Sequence, residues 1–246
     1  MRFAPRRLAA TVVAVAALAL ALTLPGAAQV EAADGDLAGI DVSHWQGGIS
    51  WADVVADGVD FAIAKATEGR YSNDDQYAAN KEGAEALGLP FTAYHYAHPD
   101  RTANDALLEA DHFVDVAALG SANLRPVLDL EDHGGFGPRR LRRWVRAWLT
   151  EVEARLGVKP IIYTSPSFWK NRMGNSRWFA KHGYLLWIAH WHVPTPRVPA
   201  HNWAGRGWTL WQYDDCGQVA GINGCVDLDR LNGTAIDALR IGGGGG

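Results

Sequence analysis

At 246 residues, 48% hydrophobic and 20% charged, the chain has the composition of a globular protein with a sizeable core, in one large domain or two small ones. Its formal charge is −4; losing the basic leader described below would remove three arginines and no acid, taking it to about −7. That balance argues against a nucleic-acid partner.

The first residues differ in kind from the rest. Arg2, Arg6 and Arg7 lead into an apolar or small stretch over residues 8–24, then Pro25-Gly26-Ala27-Ala28 and an Ala-rich tract. A positive start, an apolar middle and small residues at the cut are the pattern of a secretory signal. Cleavage would fall between Ala28 and Ala33. A retained membrane anchor is the alternative, for which the stretch is slightly short. Residues 1–33 are therefore expected to be signal and short spacer, and the mature chain to be secreted, extracellular and free of the membrane.

Eight short apolar runs follow, over residues 37–42, 61–66, 90–96, 126–130, 160–164, 185–189, 209–213 and 226–228. Most are apolar on both faces, as in parallel strands covered on both sides. Helical patterns over 50–56, 74–87, 104–119, 138–156 and 166–172 separate the early runs, and Gly88, Gly120 and Gly157 are plausible helix stops. Beyond Tyr184 the connections are rich in Pro, Gly and Trp and show no helical period. Strand alternating with helix predicts an α/β protein. Eight strands predict a modified TIM-like β/α barrel, mostly parallel, with helices missing or short after the later strands. Residues 241–246 read as a Gly-rich flexible tail.

Polar and aromatic groups collect at the ends of these runs. Asp41 ends the first, Lys65 and Glu68 the second, Tyr94 and His95 the third, and Asp129 and Glu131 the fourth. Tyr163 follows on the fifth, Trp187 and His190 on the sixth, Gln212 on the seventh, and Asp227 lies within the eighth. Barrel enzymes build their sites at this end of the strands. Asp129 and Glu131, spaced i, i+2, point the same way on a strand, with backbone positions roughly 6.5–7 Å apart. Two acids on one face suit cleavage of a glycosidic bond. Asp227 and Asp229 share strand parity, so periodicity does not choose between them.

Other features admit blander readings. Cys216 and Cys225 are expected to close a small disulfide loop in an oxidising compartment; two free thiols are the alternative, and zinc would want more ligands at closer spacing. His95-x-x-His98 and His190-x-His192 have loosely ligand-like spacing, but no third ligand is compelling, so neither metal nor cofactor is expected. Arg139, Arg140, Arg142, Arg143 and Arg146 crowd the start of one helix, as a solvated cationic face or a grip on anionic wall polymers.

The runs Asp41-Val-Ser-His-Trp-Gln46-Gly47, Lys65-Ala-Thr-Glu68-Gly69, Ala93-Tyr94-His95-Tyr96 and Leu128-Asp129-Leu130-Glu131 resemble the Chalaropsis-type lysozymes, glycoside hydrolase family 25. The resemblance continues through Ile162-Tyr163-Thr164, Leu186-Trp187-Ile188-Ala189, Trp211-Gln212-Tyr213 and Val226-Asp227-Leu228-Asp229. It implies a modified β/α barrel and hydrolysis of the β-1,4 bond from N-acetylmuramic acid to N-acetylglucosamine in bacterial peptidoglycan. It also implies four active-site acids, at Asp41, Asp129, Glu131 and Asp227. On that basis residues 34–240 are expected to form one catalytic domain, acting as a monomer on peptidoglycan glycan strands. Glu131 is expected to be general acid, and Asp129 nucleophile or, preferably, helper of the substrate's own acetamido group. Tyr94, Tyr163, Trp187, Gln212 and Glu68 are expected substrate contacts. Asp229 is expected to pair locally with Arg230. The competing readings are a non-catalytic wall-glycan binder, a metal-dependent wall deacetylase and a chitinase-like hydrolase.

Overall fold

The computed structural model describes Met1, residues 35–233 and residues 235–243. The expected signal over 1–33, apart from Met1, and residues 244–246 of the expected tail lie outside the described residues.

Period-two alternation sorts the strand side chains onto two sides of one closed sheet. The strands are β1 (Leu37–Val42), β2 (Phe61–Glu68), β3 (Ser72–Asn73), β4 (Phe91–Tyr96), β5 (Val127–Asp129), β6 (Ile161–Thr164), β7 (Leu185–Ala189), β8 (Leu210–Gly217) and β9 (Val226–Leu231). Their order is β1-β9-β8-β7-β6-β5-β4-β2-β3, and β1 also pairs with β2. Eight strands thus close a barrel, while β3 only folds back on the end of β2. Phe61, Ile63, Val127, Ile161, Tyr163 and Trp187 fill the interior. Ile40, Ala62, Ala64, Ala93, Leu128, Ile162 and Leu186 face the surrounding helices. Gly39 makes room for this filling: a Cβ there would stand 2.2 Å from the Phe61 ring.

The outer layer is uneven, as the sequence predicts. α1 (Trp51–Ala56), α2 (Tyr77–Ala86), α3 (Asp105–Ala117) and α4 (Pro138–Leu156) cover the first half. α4 lays Leu141, Trp144, Val145, Trp148, Leu149 and Val152, one helical stripe, against the barrel and α3. The second half carries only short pieces, α5 (Pro166–Arg172), α6 (Trp178–Lys181) and α7 (Pro199–Gly205). α7 has no counterpart among the expected helices, and Ala200 to Ala204 all have φ between 49° and 56°, so it winds left-handed. A left-handed turn does not present the right-handed 3.6-residue pattern. It is tied down by buried Trp203, whose Nε1 donates to the Tyr184 carbonyl at 2.8 Å, and by Asn175 Oδ1, which accepts from Ala200 N at 2.7 Å.

The eighth barrel strand extends to Leu231, beyond the expected 228, and runs antiparallel to both neighbours. Cys216 and Cys225 are disulfide-bonded across the β8–β9 hairpin. This reversal decides where Asp227 goes. It is the second residue of β9, yet pairs with Asp41 near the end of β1, so it reaches the mouth formed by the C-terminal ends of the parallel strands.

The arginine cluster of α4 is partly absorbed by packing. Arg146 lies 3.8 Å over the Trp178 ring, Arg140 lies 4.1 Å over Phe136, and Arg142 donates to the Met173 carbonyl at 3.0 Å.

Candidate active site

Asp41, Asp129, Glu131 and Asp227 line one cleft of about 170 Å3 at the barrel mouth. Tyr94, Tyr163, Trp187 and Gln212 line it too, as do Ser43, Trp45, Lys65 and Tyr96. Strand β5 ends at Asp129, and Leu130 N still donates to the Tyr163 carbonyl at 3.0 Å, so the chain stays extended to Glu131. Asp129 is buried, whereas Glu131 is open to solvent. Glu131 is nonetheless crowded by the concave wall, and burial raises its carboxyl above the usual range while a hydrogen bond with Asp129 opposes the rise. Burial pushes Asp129 well above the carboxylate range, reinforced by the charges of Glu131 and Asp41. Two carboxyls hydrogen-bond to each other only when one is protonated. Of the two, buried Asp129 is raised the more strongly and is the better proton holder, with Glu131 the better acceptor. Asp129 Oδ1 is buried with no hydrogen-bond donor from the described residues.

A second proton-sharing pair lies deeper. Asp229 is wholly buried, accepts from Trp187 Nε1 at 2.7 Å, and hydrogen-bonds Asp41. Burial and the charges of Asp41 and Asp227 hold it well above the usual range, which favours the neutral acid beside Asp41. The expected local role beside Arg230 gives way to an interior one, because strand parity turns Asp229 into a dry barrel. Burial pushes Asp41 up to about 6 against the hydrogen bonds of Gln212 and Asp229. Burial, then the Asp41 charge, pushes Asp227 up to about 8. A cluster of acids this dense does not ionise completely near neutral pH.

Gln212 is the hub. Its Oε1 accepts from Tyr163 Oη and Trp191 Nε1, both at 2.8 Å. Its Nε2 donates to Asp41 Oδ2 at 2.7 Å and Asp227 Oδ2 at 3.2 Å. The indole N–H and the carboxylates fix the amide's orientation, since a flip would set donor on donor. With all its hydrogen-bonding groups occupied by protein, Gln212 braces the cleft from below. Tyr163 and Trp187, almost fully buried, brace it likewise, their rings edge to face at 4.5 Å. Tyr94 is half-buried. Glu68 is not among the residues lining the acid cleft: it pairs with Lys65 and with His98 at 3.0 Å and faces a neighbouring hollow.

Several site residues escape the sequence reading. Trp45 stands 82% exposed on a turn held by a Ser43–Gln46 capping box. The turn is tied further by His44 Nδ1 to Asp74 at 2.7 Å and Gln46 Nε2 to the Cys225 carbonyl at 3.1 Å. Its position four residues past Asp41 was the available signal. Trp191 emerges next to β7, half-exposed and anchored on Gln212. The histidines are used in other ways: His95 is buried between Thr67 and Glu109, both at 2.8 Å, and His190 Nδ1 accepts from Arg197 N at 2.9 Å. A grouping of possible metal ligands, His192, Asp214 and Asp215, is not among the residues lining the acid cleft.

The chain matches the family described as Glycosyl hydrolases family 25 over residues 40–222. It belongs to that family. It is 36% identical over 212 residues to Lysozyme M1 of Streptomyces globisporus, covering 82% of this chain and 70% of that one. Over 205 residues it is 31% identical to the N,O-diacetylmuramidase of Chalaropsis sp, covering 77% and 95%. The bacterial lysozyme from Streptomyces coelicolor shares its fold with a TM-score of 0.77 at 34% identity, covering 83% of this chain and 97% of that one. As a family 25 member the protein is a glycoside hydrolase. The barrel with a closing antiparallel strand is the architecture on which this member carries its acids.

Proposed function

We infer that the protein is a secreted peptidoglycan muramidase, cutting the β-1,4 bond from N-acetylmuramic acid to N-acetylglucosamine with one catalytic domain over residues 34–240. The names of its relatives, lysozyme and N,O-diacetylmuramidase, support the substrate class. The single observation that carries the mechanism is the Asp129–Glu131 pair at the cleft, a buried proton holder beside an open acceptor. A 2-acetamido N–H entering the cleft donates to the Asp129 carboxyl. As it binds, Asp129 passes its proton to Glu131 and accepts from the amide. Glu131 then protonates the leaving sugar oxygen while the acetamido oxygen attacks the anomeric carbon, closing a cyclic intermediate. Water, deprotonated by Glu131, opens that ring and returns the proton.

Both carboxyls lie on one side of the mouth, which favours substrate assistance over a covalent ester on Asp129. Asp41 and Asp227 face them from β1 and β9 and hold sugar hydroxyls or tune the pair's charge. Glu131→Gln should cut turnover about 10²–10⁴-fold, and NMR of fresh product should show the anomeric configuration retained. Undiminished turnover in Glu131→Gln would remove the general acid; inverted product would assign the opposite acids a water-activating role instead.

A further inference from the structure

A groove of about 740 Å3, roughly four times the acid cleft, adjoins that cleft, and Glu131 is the residue common to both linings. Its walls come from α5 and the segment after β7. They carry Lys170, Asn171, Asn175, His190, Trp191 and Arg197. Glu131, at the border, is the only acid among its lining residues. Lys170 and Arg197 are exposed, and neither has a carboxylate partner within 4.0 Å among the described residues. His190 lines the same groove, its Nδ1 occupied by the Arg197 backbone amide, so the neutral ring presents Nε2–H. A third cation, Arg172, lines a smaller hollow that also opens at Glu131.

Two cations without counter-charges beside a cleft of four acids make a charge boundary at the reacting centre. In peptide-bearing glycan the lactyl carboxyl of muramic acid is tied up as an amide, so the sugars themselves carry no charge and give these cations nothing to pair with. The ionisable groups of such a substrate sit on the peptide arm that branches from muramic acid, and the acid cleft repels them. We propose that this groove binds the anionic peptide arm of the muramic acid residue, with Lys170 and Arg197 pairing its carboxylates and the asparagines and His190 meeting its backbone amides. The proposal rests on the muramidase reading and adds to it: the preferred substrate is peptide-bearing glycan rather than bare glycan.

The test compares purified uncrosslinked glycan strands bearing their peptide arms with bare strands whose lactyl carboxyls are capped as simple amides, using wild type and Lys170→Ala/Arg197→Ala. Wild type is expected to favour peptide-bearing strands in kcat/KM by roughly tenfold at low salt, the scale of two exposed charge pairs. High salt should shrink the gap. The double variant should lose the preference through KM while keeping wild-type turnover on bare strands, and Lys170→Arg should retain most of it. A preference that survives the double variant, or equal loss on both substrates, overturns the proposal. So does an effect confined to walls that retain other anionic polymers. If wild type cleaves neither substrate, the muramidase reading fails by itself. Calorimetry with a soluble muramyl tripeptide then decides the groove: binding lost in the double variant supports it, and no binding to wild type overturns it.

Discussion

Asp229 is the residue whose chemistry depends most on its surroundings. It accepts from Trp187, and its neutral form can donate toward Asp41; an amide can do both. Asp229→Asn should therefore fold normally. An acid with a raised folded-state pKa has its full stability below its unfolded value, near 3.8, and loses it as pH rises toward the folded one. An amide pays no such cost, so the melting temperature of Asp229→Asn should match wild type near pH 4 and exceed it increasingly toward pH 8. Asp229→Leu, which strands the Trp187 N–H, should instead lose about 1–3 kcal/mol. A constant difference between Asn variant and wild type across that pH range would show that Asp229 is ionised. The sequence could nominate Asp129 and Glu131 because strand parity and two adjacent acids are local facts. It could not assign Asp229, because parity points a side chain inward without saying that inward is dry.

At the scale of elements, α7 and β9 were the pieces least visible in the sequence. The eight residues between Gly217 and Val226 are too few for a parallel crossover, which needs a dozen or more. The runs read from the sequence, ending at 213 and resuming at 226, leave twelve residues and so did not exclude a parallel crossover; the extension of β8 to Gly217 is what does. The left-handed winding of α7 left no comparable trace: Ala200, His201, Asn202, Trp203 and Ala204 carry no glycine and no left-handed signature beyond one asparagine. It makes an unusual prediction. Ala→Gly in a right-handed helix costs about 1 kcal/mol, but glycine adopts φ near 55° without penalty. Ala204→Gly should leave the melting temperature unchanged or raise it. A loss of the ordinary helical size would mean that the segment is right-handed in solution.

For the whole molecule, burial sets opposing acid and alkaline limits. Asp41 and Asp227, raised to about 6 and about 8, and Glu109, pushed by burial to about 8, stay protonated where the unfolded chain would ionise. Their contribution is present below pH 4 and lost progressively up to pH 8. His95, forced well below its usual 6.5 by burial, works oppositely: the unfolded chain gains a proton that the native protein refuses, so stability falls as pH drops below 6.5. Three acids outweigh one histidine, so thermal stability should peak near pH 4 and decline on both sides, with the alkaline limb flattened in Glu109→Gln. A maximum at pH 8 or above would contradict the assigned protons. The bond that is cut decides the function, and mass spectrometry of peptidoglycan digested by the wild-type protein reads it out. New reducing ends on N-acetylmuramic acid, absent from a Glu131→Gln digest, are the predicted result; new ends on N-acetylglucosamine, or release of acetate without chain cleavage, would contradict it.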